Sequence, residues 1–132
     1  FEERVNTAIL DGLAWLDLHW STSENPRGRN YHFYYLYGVD RAMDLINKQL
    51  IGRHVWYNEG APAILGRLQR AEAKDPTDPA AKPQKVVFWT DNTHEPKDVL
   101  ATCFALLFLK RATKDIIDVP VTAGEGRPAD NR

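Results

Sequence analysis

Asp91, His94, Glu95 and Asp98 form the densest set of potential metal ligands in this chain of 132 residues. His94-Glu95-Pro96-Lys97-Asp98 has the opening of a zinc-protease helix, but Asp98 stands where the second histidine would be. Pro96 also prevents a regular helix through the pair. An acidic entry to a helix explains these residues better. The single cysteine, Cys103, excludes an internal disulfide and a cysteine-based zinc site. In its apolar surroundings it is expected to be a buried, inert thiol. His19, His32 and His54 are scattered and are expected to be packed or exposed rather than catalytic. The two serines, Ser21 and Ser23, share one turn without an elbow motif, which excludes a serine hydrolase. Gly124 to Ala129 has the spacing of a dinucleotide fingerprint, but no strand–helix unit surrounds it. No metal and no cofactor are expected.

The aromatic side chains are more promising. Tyr34, Tyr35 and Tyr37, with Phe104, Phe108 and Trp89, offer faces that can stabilise a cationic intermediate or a quaternary ammonium. The plainer reading makes them large core residues. Asp40, in the same segment as the tyrosines, is the best candidate for a buried carboxylate with a raised pKa; the plainer reading, which is favoured, has it pair with a nearby arginine or cap a neighbouring backbone. Tyr34, Tyr35, Tyr37, Asp40, Phe104 and Phe108 are therefore the candidate wall of a ligand cavity.

The elements that must position these residues follow from apolar spacing. Val5, Ile9, Leu13, Leu16 and Trp20 lie at steps of three and four, predicting a helix over 3–20. A polar run from Ser21 to Arg29 makes a turn, and Asn30 suits the N-cap of a second helix over 31–50, closed by Gly52. A third helix is predicted over 57–72. Its start is ambiguous, because Pro62 is comfortable only in a first turn: the helix begins near Gly60, or an earlier turn from Trp56 is kinked. Residues 74–95 form a proline-rich excursion with a short extended piece at Val86 to Trp89. A fourth helix over 96–113 is apolar nearly all round and should be central, and 115–132 is a tail after a first domain of 1–114.

The frames recur. Ile9-Leu10-Asp11-Gly12 with Leu16 and Trp20 matches Tyr57-Asn58-Glu59-Gly60 with Ile64 and Leu68 at an offset of 48. Tyr34, Tyr37 and Asp40-Arg41-Ala42 match Phe104, Leu107 and Lys110-Arg111-Ala112 at an offset of 70. A repeating two-helix unit is the signature of a helical array, in which each pair covers its neighbour. A plain four-helix bundle is the alternative.

Composition bounds the function. With 17 basic against 18 acidic residues and no basic cluster, nucleic acid is excluded as a partner. The longest apolar run, Val99 to Leu109, is too short to span a membrane. Residue 1 is Phe and the first turn is charged, so the chain is expected to begin inside a longer protein, and its compartment is unconstrained.

Gly12 to Leu16, Tyr31 to Ala42, Ile51-Gly52-Arg53-His54-Val55-Trp56-Tyr57-Asn58-Glu59-Gly60-Ala61 and Ala101 to Leu109 together resemble the terpenoid cyclase/protein prenyltransferase (squalene cyclase-like) repeat family, most of all an uncharacterised bacterial branch. The resemblance implies an all-α fold of helical hairpin repeats forming part of an α/α toroid. In it 31–50 and 96–113 would be inner helices and the other two outer. The catalytic signatures of that family are missing. No two aspartates are adjacent or separated by one residue, so the cyclase Asp-x-Asp-Asp acid is absent. Ala101 stands both where an aspartate would precede Cys103 by two places and where a zinc histidine would precede Thr102-Cys103. Gln69 is present, but its nearest downstream tryptophan is Trp89. The expectation is a non-catalytic binding or assembly module on this scaffold. Its expected partners are a second copy, upstream hairpins of a parent protein, or an apolar small molecule. The rival reading is an isoprenoid-handling enzyme whose aromatic helices line the cavity and whose acid or metal ligands lie upstream.

Overall fold

The computed structural model describes residues 1–91 and 97–111. Along the chain run helices α1 (Glu2–Leu18), α2 (His32–Leu45) and α3 (Trp56–Gly66), strands β1 (Gln69–Ala73) and β2 (Gln84–Phe88), and helix α4 (Lys97–Leu109). The expectation of an all-α toroid arc is overturned. The described residues form a small mixed α/β unit, 52% helical and 11% strand, in which two strands pair antiparallel from Gln69 opposite Phe88 to Ala73 opposite Gln84.

The strand that displaces helix is β1. Gln-Arg-Ala-Glu-Ala has good helix propensity, and the third helix was expected to continue through it. Gly66 instead ends α3 in a tight turn, with Arg67 N–H donating to the Ile64 carbonyl at 3.1 Å and Leu68 N–H to the Leu65 carbonyl at 3.2 Å. The chain then pairs with Lys85-Val86-Val87, whose β-branched residues favour a strand. Between the strands, the Asp75 carboxylate accepts from the Thr77 N–H at 2.8 Å and its hydroxyl at 2.6 Å, and the Asp78 carboxylate accepts from the Ala80 N–H at 2.9 Å. These Asx turns reverse the chain.

Both ends of α2 differ from expectation. Asn30 does not cap it. The N-cap is Tyr31, in the left-handed region at φ 60°, and the Asp91 carboxylate accepts from the Phe33 N–H at 3.3 Å. At the other end, Asn47 (φ 52°) closes the helix five residues before the predicted limit. Lys48 N–H donates to the Met43 carbonyl at 3.0 Å and Asn47 N–H to the Asp44 carbonyl at 3.1 Å, the two bonds of a Schellman closure. Gly52 (φ 55°) serves the turn that pairs Ile51 with His54. Helix α3 starts at Trp56 and runs through Pro62, whose missing N–H leaves the Asn58 carbonyl without its helical donor.

The core joins Phe33, Leu36, Val39 and Met43 of α2, Ile51, Trp56 and Ile64 on and before α3, Trp89 after β2, and Ala101, Ala105 and Phe108 of α4. Trp89 ties the hairpin in: its indole N–H donates to the Ile64 carbonyl at 2.7 Å and its backbone N–H to the Thr102 hydroxyl at 3.0 Å. Gly60 lets α3 approach α4, since a Cβ there would lie 2.7 Å from Cζ of Phe108. Helix α1 has no buried residue, although Leu13, Leu16 and Trp20 beyond it lie against the core. Helix α4 is not buried all round. Its Ala101-Ala105-Phe108 face is buried, while Val99, Leu100, Leu106 and Leu107 are exposed. Cys103, expected to be buried, is exposed too.

Candidate functional site

The aromatic cleft lies between the start of α2 and the first turns of α4. Tyr31, Phe33 and Tyr34 line one side, Leu100, Ala101 and Phe104 the other, with Asp91 completing it. Spacing places them: 100, 101 and 104 fall within one turn of α4, and 31 and 34 are one turn apart on α2. The left-handed backbone at Tyr31 is a costly conformation for a residue with a Cβ, and it sets the tyrosine at the mouth of the cleft. Tyr34 meets Phe104 edge-on at 5.1 Å between ring centroids, and Tyr37 lies against the same Phe104 at 5.3 Å. The cleft is partly open to solvent and shallow, with a cavity volume of about 20 Å³, room for about one water.

The structure brings together Tyr34, Tyr37 and Phe104 from the sequence candidates and separates the other three. Tyr35 lies among Trp20 (6.5 Å) and His32 (6.3 Å), and burial raises its pKa. Phe108 is in the core, stacked on Tyr57 at 5.3 Å and edge-on to Trp56 at 5.8 Å. Asp40 is buried and ion-paired: Arg111 Nη1 lies 3.5 Å from its carboxylate and 3.2 Å from that of Asp44. Desolvation raises the Asp40 pKa, and the Arg111 guanidinium opposes that shift. The same guanidinium sits over the Trp56 ring at 4.9 Å, so Arg111 is committed to α2 and α3 together.

Two polar groupings escaped sequence reasoning. Trp20 Nε1 donates to Glu59 at 2.7 Å, and His54 Nδ1 lies 3.1 Å from the same Glu59 oxygen. On its other side, His54 Nε2 is 4.0 Å from Asp17. An imidazole between two carboxylates joins α1 to α3. The second grouping is His32, buried with no hydrogen-bond partner at either ring nitrogen. Burial first, and then the Arg67 charge, lower its pKa to about 4; Asp91 and the nearby backbone of Thr22 and Glu24 pull the other way. Arg67 also donates to the Ser23 carbonyl, fixing the loop beside this histidine. Neither grouping has a local sequence signature, because Trp20 and Glu59 are 39 residues apart.

Among the described residues no group of three His, Cys, Asp or Glu could hold a metal ion. His94 and Glu95, like Gly124 to Ala129 and the tail, lie outside the described residues. No helix of the described residues is long and apolar enough to cross a membrane. No family model, curated protein or solved structure matches the chain.

Proposed function

We propose that this chain is a non-catalytic binding module, derived from the terpenoid cyclase/protein prenyltransferase repeat lineage, and that its site is the cleft between α2 and α4. The observation that carries the reading is the separation of the aromatic wall from the acid. Tyr34 and Phe104 face the cleft, while Asp40, the candidate buried carboxylate, is held by Arg111 elsewhere on α2. Volume points the same way: the cleft holds only about 20 Å³, far below the roughly 300 Å³ at which pockets for drug-sized ligands begin. A long isoprenoid chain does not fit so shallow a cleft; a ligand would rest across its mouth.

An amide-resolved NMR titration with small apolar and ammonium solutes tests this. Shifts confined to Tyr31, Tyr34, Asp91 and the first turns of α4 are expected. Conversion of squalene or a prenyl diphosphate by this chain, lost in Asp40→Asn, would replace the reading with the enzymatic one.

A second reading, assembly, is favoured by α4. In the frame offset by 70, the buried Phe33 and Leu36 of α2 correspond to the exposed Cys103 and Leu106 of α4. Two apolar positions that α2 buries are thus open on α4, a patch for a second copy to cover. Sedimentation at several concentrations tests self-association, and a monomer throughout would remove it.

A further inference from the structure

We propose that β1 is a self-association edge, at which the strand pairs antiparallel with β1 of a second copy and joins the two hairpins into one sheet. Among the described residues the sheet holds only β1 and β2, so one edge of β1 has no strand beside it. All of Gln69-Arg70-Ala71-Glu72-Ala73 is exposed. An open edge presents backbone donors and acceptors in the spacing that another strand needs, and native proteins commonly blunt such edges with charge. The charges of β1 have the opposite effect toward a second copy. A two-fold axis at Ala71 sets Arg70 of each copy opposite Glu72 of the other, Gln69 opposite Ala73, and Ala71 opposite itself. Opposite charges then meet twice and like charges nowhere, which favours the pairing. The register is specified as well: moving the axis by one residue opposes Arg70 to its own copy, or Glu72 to its own copy. The existing ladder extends the pattern, because Lys85 of β2 stands opposite Glu72. One row of the joined sheet therefore reads Lys85, Glu72 and then Arg70 of the second copy, alternating in sign. The faces agree too. In β2, Val86 and Phe88 are half-buried while Lys85 and Val87 are exposed. Ala71, opposite Val86, shares the inward face, and Arg70 and Glu72 share the outward one. A lone pair of strands is marginal, and added strands strengthen it. So short an edge covers less than a standard interface, which makes the association weak and concentration-dependent.

Sedimentation equilibrium of the full chain at low salt, up to about 1 mM, tests this, with amide NMR line widths locating the contact. The average mass should rise toward that of a dimer, with broadening concentrated at 69–73. Arg70→Glu sets acids face to face across the axis, and Glu72→Arg sets bases face to face. Each variant alone should associate at least about tenfold more weakly than the native chain. An equimolar mixture of the two variants restores both opposite-charge pairs and should recover the native affinity. So should the single chain carrying both exchanges. A damaged hairpin could mimic the loss in one variant, but it could not produce recovery in the mixture. Cys103 should keep its reactivity in the dimer, which separates this edge from the exposed patch on α4. A monomer at every concentration overturns the proposal. Association that neither variant weakens overturns it as well, since the copies then meet elsewhere. Loss in both variants without recovery in their mixture overturns the register. The cleft between α2 and α4 is untouched by any of these results.

Discussion

The indole N–H of Trp20 donates to the carboxylate of Glu59 across 2.7 Å, although the two residues are separated by 39 positions. Since α1 buries none of its own residues, this bond and the adjoining His54 contact hold its end to α3. Trp20→Phe should cost about 1 kcal/mol, toward the low end for a bond to a charged acceptor because Glu59 is partly exposed. In a double-mutant cycle read by urea unfolding, Glu59→Gln should cost less in the Trp20→Phe background than alone. Additive costs would show that the bond contributes nothing.

Stability should fall on acidification through His32. Its folded pKa, about 4, lies below the unfolded value of 6.5, so between those values the unfolded chain binds more protons. The contribution is complete above pH 6.5, declines as pH falls toward 4 and is flat below, and amounts to at most about 3 kcal/mol. Asp40, with a raised pKa, has the opposite sign: its contribution is present below the ordinary carboxylate value and is lost as pH rises through the folded value. Urea midpoints at pH 7, 5.5 and 4.5 should decline in the native chain and much less in His32→Gln.

Arg111→Met should destabilise by about 3 kcal/mol, because it strands the Asp40 carboxylate in the core and removes the cation from Trp56. Part of that loss should return on acidification, as the unpaired Asp40 takes up a proton. Adding Asp40→Asn should restore stability at neutral pH, and thermal melts of the two variants compare them directly.

Gly60→Ala and Gly12→Ala should move stability in opposite directions. A methyl at Gly60 meets the buried Phe108 ring, at an expected cost of about 1–3 kcal/mol. At Gly12 nothing lies within 4 Å, and the helix propensity of alanine should add about 0.5–1 kcal/mol. Chemical denaturation of both variants provides the comparison.

Cys103 should react with a disulfide reagent in the native chain about as fast as in the unfolded one, because it is exposed on α4. Slowing of that reaction as protein concentration rises would report a second copy covering the helix.

Helical spacing made α1 legible, and the three-residue step from Tyr34 to Tyr37 put both rings against Phe104. The pairing of Asp40 with an arginine followed from the cost of burying an isolated charge. Residues 69–73 misled because their own preference is helical, and only the partner strand, across a long turn, decides otherwise. Distance in sequence also concealed the cap of α2: Asp91 lies 58 residues from the N–H it accepts, whereas Asn30 sits in the expected place and does nothing there. Cys103 and the outward leucines of α4 looked like core because apolarity alone does not say whether a neighbour exists to cover it.

The reversal from β1 into β2 has a practical corollary. Its Asx turns satisfy their own backbone locally, and nearly every side chain from Lys74 to Pro83 faces solvent. A foreign epitope or fluorescent reporter spliced at Thr77 would hang from a self-contained bend, away from both the aromatic wall and the Trp89 anchor. New chain termini opened there should likewise leave the remaining framework intact.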